Sequence, residues 1–248
     1  MKFILNTEKE LQKNIEFNNE GVILNYFQNK ICYLIGGGKF DELTTIYEDM
    51  ISNTNKKNPT TLFINHGNKF GKANYDKVKK IFQELGSETK YLHKEDLDDI
   101  NKTKELVNSA DIIYIGTGNT KEMLDLWKEK KFDDILIEAF NNGKIMAGIS
   151  AGAISLSRYG LSDYLREEDE KAKLVKLDGL GMVDLLTLPH ANKDSFNDED
   201  INKESKDIDC YLISNKACVK VFNDDVSFML IDDGFIDIVK SGKTEHIL

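Results

Sequence analysis

The sequence predicts an α/β domain with a mostly parallel sheet covered by helices on both faces, a three-layer α/β/α arrangement. Three observations lead there. Apolar runs of four or five residues alternate with amphipathic stretches from residue 31 to about 155. The runs are apolar throughout rather than apolar at every second residue, as strands buried on both faces are. Glycine clusters close several of the runs, at the carboxyl ends where sheets of this kind bind ligands.

In chain order, Ile31-Cys32-Tyr33-Leu34-Ile35 is a buried strand that ends in Gly36-Gly37-Gly38. Phe40, Leu43, Ile46, Tyr47, Met50 and Ile51 then recur at helical spacing over 40–53. Pro59 introduces a strand at Thr60–Ile64, and a helix follows over 73–85 until Gly86 stops it. A weaker strand at 88–92 and a helix near 101–108 lead to the strand Asp111–Ile115, which runs into Gly116-Thr117-Gly118-Asn119-Thr120. The stretches 120–131 and 133–142 read as helices, with Met123 and Trp127 as core, and Lys144–Ala147 as a short strand turning at Gly148. Residues 163–176 are highly charged and read as a loop or exposed helix. The β-rich pieces over 209–240 read as the C-terminal flank of the same sheet. One domain is expected over 1–248, with 1–29 a less certain leading segment.

Composition narrows the function by exclusion. Lys+Arg 33 against Asp+Glu 43 leaves a formal charge of −10, which argues against nucleic acid and anionic membranes as partners. No 18-residue apolar run or signal-like segment is present, so a cytoplasmic setting is expected. Cys32, Cys210 and Cys218 are too few and too scattered for a disulfide framework or a zinc site. Gly36-Gly37-Gly38-Lys39 lacks the spacing of a phosphate-binding loop and reads as a strand-end turn.

The sharpest local signal is Gly148-Ile149-Ser150-Ala151-Gly152. This G-x-S-x-G pattern sits between a strand and a stretch able to open a helix. A strained strand-to-helix turn needs small residues around its serine, and the helix start leaves N–H groups free for a developing oxyanion. A serine nucleophile needs a base, and His190 follows the apolar run Leu185–Leu188 and Pro189. His66, at the end of a strand, is the competing base. His93 stands at a strand end beside Lys94, and His246 lies in a polar tail.

Gly116-Thr117-Gly118-Asn119-Thr120, the elbow pentapeptide, Ser162-Asp163 and Pro189-His190 together resemble the dipeptidase E (aspartyl dipeptidase) family of serine peptidases, to which cyanophycinases are related. The resemblance covers roughly residues 31–240. It implies a fold like that of class I glutamine amidotransferases, hydrolysis of a small peptide substrate without metal or cofactor, and assembly as a homodimer. It also implies Ser150 as nucleophile, His190 as general base, and the N–H groups of Gly118 and Ala151 as oxyanion hole. Gly37, Asn119 and Thr120 are candidates for substrate binding. Asp163 is the expected acidic partner of His190, with Glu167, Glu168 and Asp169 in the same loop as alternatives. Isoaspartyl, cyanophycin-like or ester substrates, and a non-catalytic ligand-binding role, are the competing functions.

The sequence departs from the family pattern in three places. Thr117 stands where a glycine is usual, and Ala191-Asn192 replaces aromatic and acidic residues after the Pro-His pair. No arginine follows His190, since Arg158 and Arg166 are the only two; Lys193 offers a point charge but no bidentate fork. Strict preference for amino-terminal aspartate is therefore not expected.

Overall fold

A short antiparallel hairpin, β1 (Ile15–Asn18) with β2 (Gly21–Leu24), precedes the main body and falls within the leading segment. The computed structural model describes the backbone of these strands and residues 29–192 and 196–247, save the Glu167 side chain. Lys193 lies outside the described residues.

Strands and helices then alternate as the apolar runs predict. They are β3 (Ile31–Ile35), α1 (Thr44–Ser52), β4 (Thr60–Ile64), α2 (Gly71–Glu84), β5 (Glu88–Leu92), α3 (Ile100–Ser109) and β6 (Ile112–Ile115). After them come α4 (Thr120–Lys130), α5 (Phe132–Asn141), β7 (Ile145–Ile149) and α6 (Ala151–Leu156). The five strands are mutually parallel in the order β3-β7-β6-β4-β5.

Successive residues of a strand point to opposite faces, so each apolar run feeds two cores. Tyr33, Ile35, Phe63, Tyr114 and Ile149 pack against Ile46, Tyr47 and Met50 of α1 and Val78 and Phe82 of α2. Cys32, Leu34, Leu62, Ile64, Ile113 and Met146 meet Val107, Trp127, Phe132 and Leu136 on the other face, with Ala153 and Leu156 of α6. The result is the expected three-layer α/β/α body.

The chain beyond α6 departs from expectation. It enters β8 (Ser157–Ser162) directly, and residues 163–176 hold a single 3-10 turn at Tyr164–Glu167 before β9 (Val175–Asp178). β10 (Val183–Pro189), α7 (Asp198–Glu204) and β11 (Cys210–Ile213) follow, then β12 (Ala217–Phe222), β13 (Asp225–Leu230), β14 (Ile236–Lys240) and β15 (Lys243–Ile247). Only β12 and β13 flank the central sheet, β12 running antiparallel to β3. β11 and β14 belong instead to a second sheet of order β15-β14-β11-β10-β8-β9. The reason is local: β11 pairs in parallel with β10 (Pro189 opposite Ile213), and the chain then crosses between sheets within Ser214–Lys216. Among the described residues no helix is long and apolar enough to cross a membrane.

Candidate active site

Ser150 sits where β7 must turn into α6 with almost no room. A Cβ on Gly148 would lie 2.3 Å from the Gly152 backbone, and one on Gly152 would lie 2.3 Å from the Ile115 carbonyl oxygen. Only glycine at both positions lets α6 press onto β7 and β6. Ser150 itself takes φ 57°, ψ −115°, a conformation that costs a non-glycine residue about 1–3 kcal/mol. Its backbone is pinned there: the N–H donates to Ile35 O at 2.9 Å, and its carbonyl accepts from Ala153 N at 2.9 Å. The turn is therefore strained and over-determined, as a nucleophile elbow is.

His190 comes from the other sheet. It follows Pro189 at the end of β10 with φ 56°, and its N–H donates to Gly36 O at 3.1 Å, so the two sheets are joined at this residue. Nε2 lies 2.8 Å from Ser150 Oγ, and Nδ1 lies 2.7 Å from Asn215 Oδ1. An amide oxygen can only accept, so the ring proton sits on Nδ1 and Nε2 offers its lone pair to the serine hydroxyl.

The orienting group on Nδ1 is thus an amide where a carboxylate is expected. Asp163 stands at the carboxyl end of β8, on the opposite side of β10 from β11, and its carbonyl accepts from Arg166 N at 2.8 Å. Asn215 lies just past β11, in the crossover between the sheets. No motif marks it: Ser214, not Asn215, closes the apolar run Tyr211–Ile213, and Asn215 is one of three polar residues that follow.

Gly37 packs on this pair. A Cβ there would stand 2.2 Å from Asn215 Oδ1 and 2.4 Å from His190 Cε1, and its carbonyl accepts from Lys216 N at 3.0 Å. Its observed part is to seat the histidine. Asn119 caps α4 by accepting from Glu122 N at 3.1 Å, and Thr120 is buried in the first turn of that helix. Both residues anchor the loop that carries Gly118.

Gly118 has φ 129° and lies against Gly67, whose oxygen would be 2.0 Å from a Cβ at 118. The bond from Gly152 N to Gly116 O, 3.1 Å, sews this loop to the first turn of α6. The segments carrying Gly118 and Ala151 are therefore adjacent. Ala151 opens the helix, so its N–H has no acceptor one turn earlier in α6.

His66 is fully engaged elsewhere. Trp127 Nε1, a pure donor, bonds Nδ1 at 3.0 Å, and Nε2–H donates to Leu92 O at 3.0 Å. Burial lowers its pKa from 6.5 to about 4. The neutral ring therefore adds full stability above pH 6.5. As pH falls from there towards about 4, the unfolded chain binds a proton that the folded ring refuses, and roughly 3 kcal/mol is lost. In melting curves between pH 7 and 4, His66→Gln should lower Tm at pH 7 yet flatten its fall on acidification. Parallel profiles for the two proteins would contradict this. His93 is exposed, packing edge-on against Tyr91, and His246 pairs with Asp237 on β14. Neither is near the serine loop.

The three-layer α/β body thus carries, at the carboxyl edge of its sheet, a strained serine bonded to a histidine. The model of peptidase family S51 matches residues 32–229, and the chain belongs to that family. Uncharacterized peptidase YgaJ of Bacillus subtilis is 35% identical over 137 residues, 54% of each chain. Peptidase E of Nostoc sp. is 31% identical over 78 residues, 32% of this chain and 30% of that one. These matches span about half the curated relatives or less. Among solved structures, a protein from Listeria monocytogenes assigned to peptidase E superposes with TM-score 0.65 at 24% identity, covering 82% of this chain and all of that one. A peptidase from an acI-B1 Actinobacterium gives 0.68 at 22% identity, covering 90% and 96%. The protein accordingly belongs to a peptidase family and shares the fold of the solved proteins of the peptidase E type.

Proposed function

We propose that the protein is a serine peptidase that cleaves short peptides through an acyl-enzyme. The observation that carries this reading is the 2.8 Å contact between His190 Nε2 and Ser150 Oγ on a strained elbow. Ser150 Oγ attacks the scissile carbonyl while Nε2 takes its proton. The oxyanion develops beside the N–H groups of Gly118 and Ala151. Nε2–H then protonates the leaving amine, and water, deprotonated by the same nitrogen, releases the acid.

Asn215 takes the orienting role in this scheme. It holds the productive tautomer but, being uncharged, stabilises the imidazolium only through its dipole. The three free, buried thiols, Cys32, Cys210 and Cys218, support a reducing, cytoplasmic setting.

A fluorophosphonate probe tests the nucleophile directly. Wild-type protein should be labelled at Ser150, identified by peptide mapping, and a dipeptide and simple-ester panel then ranks substrates. Labelling of another residue, or equal labelling of Ser150→Ala, would overturn the assignment.

A further inference from the structure

The reactive serine lies between two loops, and two cavities open beside them. Residues 36–38 and 116–118 extend the strands that flank β7, to which Ser150 is joined. From Gly38 and Thr117 a cavity of about 760 Å³ opens over the face that carries α1 and α2. Its inner end also holds Asn68, which donates to Thr117 Oγ1 at 3.1 Å. Its outer wall is α2, which contributes Asn74, Lys77, Lys80, Ile81 and Glu84. A second cavity of about 550 Å³ meets the first at Gly38 and Lys39 and is lined beyond them by His190 and Asn215.

Chemistry distinguishes the two sides. The base that takes the serine proton must hand it to the departing amine, so the leaving group lies on the His190 side. The acyl part of a substrate is then directed to the side that holds Thr117 and lacks His190. That side is long. From Asn74 to Glu84 the helix rises by about 15 Å, at roughly 1.5 Å per residue. An extended peptide advances about 3.3 Å per residue, so the wall matches about four residues.

The groove is also selectively charged. Lys77 and Lys80 are exposed on α2, one turn apart, and neither has an ion-pair partner among the described residues. On the opposite side Lys216 is held by Asp232 and Asp233 at 3.4 and 3.2 Å. The groove lining also holds Lys39 and the carboxylates Asp41 and Glu84, so its lysines outnumber its acids by one and the lining stays net positive, which favours a carboxylate on the ligand.

We propose that the α2 groove receives the acyl portion of peptides with several residues before the scissile bond, and that Lys77 and Lys80 favour an acidic side chain at its outer part. This rests on the serine-peptidase reading for the direction of the chain. It makes the protein an enzyme for oligopeptides rather than strictly for dipeptides.

The test uses the full chain and substrates that share one scissile bond, with one to five residues before it, ending in an acidic or a neutral amino-terminal residue. Wild-type kcat/KM should rise with acyl length up to about four residues, with an acidic preference of about fivefold in the long members. K77E/K80E should reduce that acidic preference to about one or invert it, whereas K104E, on α3, should leave it in place. In parallel, a fluorescent four-residue acidic peptide is titrated against Ser150→Ala with and without K77E/K80E. If nothing is hydrolysed, the peptidase reading falls, and loss of anisotropy in the charge-reversed protein still supports the groove. If the dipeptide is cleaved as well as the longer peptides, or charge reversal leaves both preference and anisotropy unchanged, the groove proposal is overturned.

Discussion

Ser150→Ala should lower kcat/KM on a cleavable peptide by about 10⁴–10⁶-fold, and His190→Ala by a similar factor. In the proposed mechanism the two residues act as one device: across the 2.8 Å contact Nε2 takes the hydroxyl proton as Oγ attacks, and either half without the other does little. Combining the substitutions should therefore cost no more than the worse single change. Neither should alter the far-ultraviolet circular dichroism, because the strain at 150 resides in backbone bonds that alanine keeps. Multiplying losses in the double variant, or unchanged turnover in either single one, would sink the proposed mechanism. His66→Gln, assayed alongside, should retain activity wherever it remains folded, since both ring nitrogens are bonded to Trp127 and Leu92.

The second large effect comes from a residue with no side chain. Gly37→Ala places a methyl group 2.2 Å from Asn215 Oδ1 and 2.4 Å from His190 Cε1, distances that no packed structure sustains. The histidine ring and the amide must move. A misplacement of about 1 Å at a reacting group can cost on the order of 10²-fold in rate. The expected outcome is a fall in kcat of that size with KM changed far less, and fluorophosphonate labelling slowed in step. Activity equal to wild type would show that the ring is not seated by Gly37.

The elements around the elbow were legible in the sequence because their causes are local. Strands such as Ile31–Ile35 and Ile112–Ile115 are apolar throughout since helices cover both faces, and apolar runs of four or five residues closed by glycine announce that. The elbow was legible too, because a turn this tight excludes side chains at 148 and 152, which leaves a spacing visible in one dimension. Gly37 was expected at the site, and the histidine ring packed against it is a property of tertiary packing that its sequence does not mark.

The orienting residue was not legible. Asn215 is 25 positions from His190 and belongs to a crossover between two sheets. Acidic residues near Ser162 fit the family pattern better than a lone asparagine two positions past Ile213. The assignment of residues 209–240 to one sheet had the same flaw: apolar alternation identifies a strand but not its neighbour. Only the parallel pairing of β11 with β10 separates it from β12, which joins β3.

The sequence by itself determined the layered α/β body and the tight strand-to-helix turn at Ser150, since each follows from hydrophobic period or from the steric demands of a few consecutive residues. The tertiary structure decided which histidine meets Ser150, which group holds its far nitrogen, and where cavities open beside the serine. Those depend on contacts between chain segments 25 to 61 positions apart, set by how two sheets dock, and no local pattern encodes such distances.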